Sequence, residues 1–317
     1  MIEQMSLKKP IGSDKKGGLK DFIKQFDLQL LVIPSIIWII IFCYIPMYGI
    51  IMAFQEFQLG DFPGMSQWVG LKHFKLLFSD PNFTTVLRNT VVISVLKILI
   101  NFPIPIIFAV MLNEITNTRF KKSVQTVSYL PHFISWVVAA TLLFDFFSVD
   151  NGAVNSALMA LGWVDEPVNF FGVGEYFWPM LVITDLWKEL GWNSIIYIAS
   201  ITSIDPELYE AAGIDGAGRF TKMWHITLAS IRPTIVLLLI FTIGNLLNTN
   251  FDQIMMLTNQ MGNSALREYA DVIDTYVYRV GIREGRFSYA AAAGLLINIM
   301  LLFAANKIAS KSEQSLF

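Results

Sequence analysis

Ionisable side chains within an apolar stretch are the first sign of chemistry in this sequence. Residues 176–203 are mostly hydrophobic, yet they carry Asp185, Lys188 and Glu189 within one helical turn, with Trp192 on the same face. Charges at membrane depth are costly and are expected to face protein or a water-filled path. Carboxylates there could bind the hydroxyl groups of a polar ligand while an indole packs on an apolar face of that ligand. An ion pair that holds helices together is an equally good interpretation.

Other apolar stretches carry polar residues that extend this candidate path. Lys97 lies in residues 89–112, where a lone lysine more often pairs with a carboxylate such as Asp185 than with a ligand. Two asparagines lie in residues 231–250, where bonding between helices is the commoner role. The candidate substrate path therefore comprises Lys97, Asp185, Lys188, Glu189, Trp192, Asn245 and Asn248.

Motifs for catalysis and metal binding are missing from the sequence. His73, His132 and His225 have no second ligand three or four residues further on, which favours structural roles over metal binding. Neither His-Glu-x-x-His nor Gly-x-Ser-x-Gly occurs, and the chain has no phosphate-binding Gly-x-x-x-x-Gly-Lys-Ser/Thr loop. We therefore predict that the chain is not an enzyme and holds neither a metal nor a cofactor of its own.

The composition indicates a membrane protein. Of 317 residues, 54% are hydrophobic and only 15% are charged, and mean hydropathy is +0.54. A water-soluble surface needs roughly 25% charged residues. The single cysteine, Cys43, excludes an internal disulfide, and a net charge of −2 gives no support for nucleic-acid binding.

Six apolar runs are long enough to cross a bilayer as helices, which predicts an all-α membrane protein. They lie near 28–54, 89–112, 124–147, 176–203, 231–250 and 288–309, and prolines in several of them predict kinks. With a cytoplasmic N-terminus, the cytoplasmic segments hold fourteen Lys and Arg residues and the external loops seven. The excess of basic residues inside predicts that both termini, the tails 1–27 and 310–317, are cytoplasmic.

The predicted cytoplasmic segment 204–230 differs from a plain connector. Asp205 is a good N-cap, and Pro206 suits the first position of a helix. Gly213, Gly216 and Gly218 should then end that helix, and apolar residues from Phe220 onward return at helical spacing. The pattern predicts a short helix, a glycine-rich turn and a second helix on the cytoplasmic face.

This segment resembles the EAA motif of permease subunits of ATP-binding-cassette importers. The family pattern is Glu-Ala-Ala, three residues, Gly, nine residues, Ile, one residue and Leu-Pro, and here Ala229 replaces the final proline while Pro233 follows one turn later. The resemblance implies a coupling helix that docks into a groove of the ATPase. An interfacial helix that only connects two spans is the alternative. The implied coupling residues are Glu210, Ala211, Ala212, Asp215, Gly216, Ile226 and Leu228.

Other stretches resemble the carbohydrate-uptake branch, in particular its lipoprotein-B-like permeases. They include Tyr44-Ile-Pro-Met-Tyr-Gly49, Trp68-Val-Gly-Leu71 and Tyr129-Leu-Pro-His-Phe-Ile-Ser-Trp136. This resemblance implies oligosaccharide import across the bacterial plasma membrane. It also implies four kinds of partner: a second, non-identical permease, two ATPase subunits that bind ATP and Mg, an extracytoplasmic solute-binding protein and the carbohydrate.

A self-contained secondary transporter of a small polar solute is the main rival interpretation. That class is expected to show inverted repeats with interrupted helices in both halves, and residues 1–140 contain no second copy of the 205–233 element. A membrane-embedded enzyme comes third. The charge of the sugar stays open, because Lys97, Lys188 and the external arginines favour an acidic cargo whereas the external loops hold twelve acidic residues against seven basic ones.

Overall fold

The computed structural model of the protein describes residues 26–245 and 249–316. Within these ranges the chain is helical, and the only β-type pairing is an isolated bridge between Gln55 and Trp68. The predicted all-α class is therefore confirmed for the described part of the chain. The chain divides into two compact units, Met1–Ile51 and Met52–Phe317. Most of the predicted tail 1–27 lies outside the described residues.

From residue 26 onward, the first unit is a long apolar helical segment. It comprises helix α1 (Phe26–Ile39), a π-helical turn (Ile40–Tyr44) and the short helix α2 (Ile45–Met47). Pro34 lies inside α1 and removes one backbone donor from its ladder. Large apolar side chains of this unit are exposed along its length, as expected for a segment that lipid surrounds.

A 3₁₀ segment (Tyr48–Phe54) crosses the boundary between the first and the second unit. The second unit contains the remaining helices. Its helices are α3 (Lys72–Ser79), α4 (Pro81–Asn101), α5 (Pro103–Asn113), α6 (Thr118–Tyr129), α7 (Trp136–Phe146), α8 (Ala153–Ala160), α9 (Gly174–Thr202), α10 (Pro206–Ile214), α11 (Arg219–Lys222), α12 (Ala229–Gly244), α13 (Phe251–Leu257), α14 (Arg267–Ala270), α15 (Ile273–Tyr278) and α16 (Phe287–Leu316).

In the part of the chain that the structure describes, three helical segments are long and apolar enough to cross a membrane: Leu30–Phe54, Pro81–Asn113 and Arg219–Gly244. A fourth is present if the bent pair Thr118–Phe133 and Trp136–Phe146 is one span. Helix α9 fills the run predicted at 176–203, and its charged residues set it apart from these four. The predicted positions of the apolar runs thus coincide with helices, although their ends differ.

The helix predicted near 124–147 is interrupted. Its two halves meet at 108°, after the 3₁₀ turn Leu130–Phe133 that contains Pro131. Ile134 and Ser135 are extended, and the Ser135 hydroxyl accepts a hydrogen bond from the backbone N–H of Val138. A new N-cap therefore starts α7 in a different direction.

The bounds predicted for the helix at 231–250 were wrong at both ends. Helical structure begins at Arg219 and continues through a π-helical turn (Met223–Leu228) into α12, which ends at Gly244. Asn250 has a left-handed backbone with φ of 65° and caps α13. At the C-terminus, α16 continues to Leu316 through most of the predicted tail 310–317.

The core of the second unit is built around α9. Helix α9 packs on α4, α5, α6 and α12. Its approach to α6 requires a glycine, because a Cβ at Gly191 would lie 2.2 Å from the Ser128 carbonyl oxygen. At one end of α9, a buried group that we name the Tyr197 cluster consists of Ile106, Ala109, Val110, Tyr197, Ile201 and Ile231.

Asp80, the residue before α4, connects three helices through hydrogen bonds. Its side chain caps α4 by accepting from the Asn82 N–H, and it also accepts hydrogen bonds from the hydroxyls of Tyr276 and Tyr289 at 2.9 and 3.0 Å. Burial alone would raise the pKa of Asp80, but these hydrogen bonds together lower the pKa below its usual value. The start of α4 is thereby fixed to α15 and α16.

Candidate substrate cavity and coupling loop

A cavity of about 570 Å³ opens between α4, α5, α9 and α12. This volume is within the roughly 300–1,000 Å³ of typical small-molecule sites. Phe102, Trp192, Tyr197 and Phe241 contribute aromatic surface. The polar side chains of the lining are Ser94, Lys97, Asn101, Asp185, Asn193, Thr242, Asn245 and Asn250. A lining of aromatic faces with a few polar groups suits a hydroxyl-rich ring.

Lys97 and Asp185 form an ion pair at this cavity. The Lys97 ammonium lies 3.3 Å from Asp185 Oδ1, which confirms the pairing expected from the sequence. The same ammonium donates to Gln253 Oε1 at 2.9 Å and to the Thr249 carbonyl at 3.4 Å. Both side chains are mostly buried and carry opposite charges. Each charge therefore neutralises the other within the cavity lining.

Two buried polar atoms of the lining residues have no hydrogen-bond partner. Asn101 donates to Asp185 Oδ2 at 2.8 Å, and Asn250 donates to Asp185 Oδ1 at 3.3 Å. Among the described residues, Asn101 Oδ1 and the Ser94 hydroxyl are buried and have no hydrogen-bond partner. Buried polar atoms are usually paired, and these two have almost no accessible surface, so they would contact a ligand only after their side chains rotate into the cavity. Sequence reasoning missed Ser94 because a serine in an apolar helix carries no specific signal.

Lys188 and Glu189 belong to a second cluster, at the bend between α6 and α7. The Lys188 ammonium donates to the His132 carbonyl at 2.8 Å and to Glu189 Oε1 at 3.2 Å, and it lies over the Trp136 ring. His132 Nδ1 lies 2.7 Å from Glu189 Oε2. We name Lys188, Glu189 and His132 the bend clamp.

Trp192 connects the bend clamp to the cavity. Its ring stacks on the His132 ring with centroids 4.1 Å apart and planes within 4°, and it also contributes to the cavity lining. Of the predicted path residues that the structure describes, Lys97, Asp185, Trp192 and Asn245 line the cavity, whereas Lys188 and Glu189 do not. Asn248 lies outside the described residues.

The segment predicted to couple to an ATPase forms the expected helix, turn and helix. Asp205 caps α10 by accepting from the Glu207 N–H at 3.0 Å, with Pro206 in the first turn. The turn after α10 uses Gly216 with φ of +79°, a conformation that favours glycine. Glu210, Ala211 and Asp215 are exposed, and Ala212 is half-buried.

The second half of this segment is anchored in the protein core. Met223 and Leu228, in the π-helical turn after α11, pack against the Tyr197 cluster, and Ile226 is half-buried. Tyr197 and Leu238 also line the cavity. Packed side chains therefore run without a break from the segment to the cavity wall.

Comparison with known proteins identifies the family. Residues 101–312 match the family described as binding-protein-dependent transport system inner membrane component. The chain belongs to this family. It is thus a multi-pass permease of the inner, or plasma, membrane, a transport component rather than an enzyme.

Curated relatives of this permease cover nearly its whole length. Protein LplB of Bacillus subtilis (strain 168) is 44% identical over 292 residues, which are 90% of this chain and 89% of that protein. The polygalacturonan/rhamnogalacturonan transport system permease protein YteP, from the same organism, is 44% identical over 302 residues, 94% of this chain and 92% of that protein.

Solved structures give the same result for the fold. A chain of a bacterial ABC transporter involved in the import of the acidic polysaccharide alginate is similar with a TM-score of 0.85 and 38% identity, covering 93% of this permease and 98% of that chain. A chain of a bacterial alginate ABC transporter in complex with an alginate pentasaccharide-bound periplasmic protein gives a TM-score of 0.83 and 39% identity, covering 91% and 94%.

Proposed function

We propose that this permease is one of two membrane subunits of an ATP-driven importer that moves fragments of a polysaccharide across the plasma membrane. The observation that carries the proposal is the likeness, at 38% identity over 93% of the chain, to a subunit of an importer of alginate. YteP, named for polygalacturonan and rhamnogalacturonan transport, supports an oligosaccharide cargo. The solute-binding partner is supported by the neighbour in complex with a sugar-bound periplasmic protein.

The cavity supports this cargo on chemical grounds. The lining offers hydrogen-bonding side chains such as Asn193, Thr242 and Asn245 for sugar hydroxyls, and Trp192 and Phe241 present aromatic surface to a ring. Hydroxyl groups that lose water on entering the cavity need such partners, because an unpaired buried polar group costs about 1–3 kcal/mol.

Blocking the cavity should stop transport. Asn245→Trp adds an indole to the cavity lining. We expect sugar uptake by cells to fall at least about tenfold, because a sugar ring no longer fits beside the indole. Ile240→Trp, on α12 five residues before Asn245 and not among the residues that line the cavity, is the matched control and should leave uptake near normal. Normal uptake in Asn245→Trp, with the protein at normal abundance, would exclude this cavity from the sugar path.

The proposed topology has six spans with both termini in the cytoplasm. The spans are Leu30–Phe54, Pro81–Asn113, the bent pair between Thr118 and Phe146, α9, Arg219–Gly244 and α16. The excess of basic residues in the cytoplasmic segments supports this orientation.

Cysteine labelling tests this orientation. In a Cys43→Ser background, an impermeant thiol reagent added to intact cells should label Ser156→Cys and should label Thr221→Cys only after permeabilisation. Both positions are exposed, so access depends on the side of the membrane. The opposite labelling pattern would reverse the topology.

ATP hydrolysis belongs, in this proposal, to two partner ATPase subunits that bind ATP and Mg. The exposed helix α10 and the turn after it, within residues 205–229, dock on those subunits. A second, non-identical permease closes the sugar path from the other side. An ion-driven secondary transporter would need none of these partners, which makes the two functions separable by experiment.

A further inference from the structure

Tyr209 makes two contacts that no motif of the sequence indicates. It lies on α10 beside Glu210, but its side chain is half-buried whereas Glu210 is exposed. The Tyr209 hydroxyl lies 2.9 Å from Thr227 Oγ1, and the Tyr209 carbonyl accepts a hydrogen bond from the Lys222 ammonium at 2.8 Å. Thr227 is only 1% exposed and lies in the π-helical turn before α12.

Both contacts join α10 to the same long helix. Lys222 ends α11 and Thr227 follows five residues later, so Tyr209 binds the segment Arg219–Gly244 at two points. The Lys222 ammonium also lies 3.0 Å from the position of a Cβ at Gly213, which explains why a glycine suits this position of α10.

Without these contacts, α10 would be held to the core mainly through its connection to α9, where Ile204 packs on the Tyr197 cluster. An isolated helix of nine residues is unstable in water. Its connection to α11 contains Gly216 and Gly218, which restrict the backbone least among the amino acids. A push on α10 would then rotate the short helix about its connection and would not displace the spans.

We propose that Tyr209 is a positioning residue that makes α10 and the helix Arg219–Gly244 move as one body. Thr227 and Lys222 are its two anchors. This proposal rests on the proposed function, in which a partner ATPase displaces α10. The displacement then reaches Phe241 and Thr242, which lie further along the same helix and line the cavity.

The proposal is tested by measuring the distance between the two elements in the assembled complex. Spin labels are placed at Glu207→Cys on α10 and Trp224→Cys on the long helix, both exposed, in the Cys43→Ser background. The complex purified with its ATPase is measured by pulsed electron resonance without nucleotide and with ATP and vanadate. We expect one narrow distance distribution that is the same in both states.

Removal of one hydroxyl should loosen this connection. Tyr209→Phe and Thr227→Val should each at least double the width of the distribution and should lower ATP-driven uptake by about fivefold, the order expected for one hydrogen bond. The double variant should be no worse than either single variant, because the two hydroxyls share that bond. Thr227→Ser keeps a hydroxyl and should behave as wild type, as should the control Thr221→Val.

The outcomes separate this proposal from the proposed function. If the ATPase copurifies and Tyr209→Phe leaves the distribution narrow and uptake normal, the positioning role is wrong while the importer function stands. If wild-type permease brings down no ATPase, the proposed function fails and the positioning role fails with it. A broadened distribution in Tyr209→Phe, reproduced by Thr227→Val and restored by Thr227→Ser, supports the role.

Discussion

Glu210→Lys and Ala212→Trp should each abolish sugar uptake while the permease stays in the membrane at normal abundance. Glu210 is exposed on α10, where the family resemblance implies a basic partner residue on the ATPase, so a lysine would meet a like charge. Like charges that meet at an interface cost several kcal/mol. Ala212 is half-buried, and an indole there would prevent close approach. Uptake by cells and the amount of permease in membranes are measured together.

Thr221→Lys is the control for these two variants. It also adds a positive charge to the exposed surface of this segment, but it lies outside the residues that match the motif. It should retain most of the uptake. Normal uptake in either Glu210→Lys or Ala212→Trp would show that α10 does not transmit ATPase motion.

Lys188→Ala should prevent the permease from assembling. The Lys188 side chain is 6% exposed. Its ammonium holds the bend clamp together by donating hydrogen bonds to Glu189 and to the His132 carbonyl. Its removal leaves the Glu189 carboxylate without its ammonium partner at membrane depth, at a cost of about 3–5 kcal/mol. We expect little permease in the membrane and a lowered unfolding midpoint for what is recovered.

Lys75→Ala is the matched control, since Lys75 is an exposed lysine of α3. It should leave abundance and the unfolding midpoint unchanged. If Lys188→Ala assembles with a normal midpoint but loses uptake, Lys188 contacts the sugar after all. Normal assembly together with normal uptake would contradict both roles.

The charged residues of α9 show what the sequence could not resolve. Asp185, Lys188 and Glu189 were predicted on one face, and helical spacing does place them close together. The structure nevertheless separates them, because Asp185 meets Lys97 on α4 while Lys188 and Glu189 meet His132. That division depends on the 108° bend after Pro131, whose direction no local pattern specifies.

Helix existence was easier to predict than helix ends. The apolar runs coincide with helices because hydrophobic length is a strong signal. The helix Arg219–Gly244 begins well before its apolar run, since its cytoplasmic end carries polar residues such as Arg219, Thr221 and Lys222. Hydropathy detects only the part of a helix that lipid surrounds.

The structure of residues 205–229 was predicted well where its signals are local. The Asp205 cap and the Gly216 turn depend on neighbouring residues, and both are present. The Tyr209 to Thr227 contact joins residues 18 positions apart across that turn. Its formation depends on how α10 folds back on the long helix, so it becomes visible only in three dimensions.

ATP hydrolysis by the complete complex tests the central claim most directly. The permease is reconstituted in lipid with the second permease and the ATPase that copurify with it, and hydrolysis is measured with and without the sugar-loaded binding protein. The account predicts that the loaded binding protein raises the rate in wild type and leaves it unchanged in Glu210→Lys. Uptake by the permease alone, driven by an ion gradient and without any ATPase, would contradict the account.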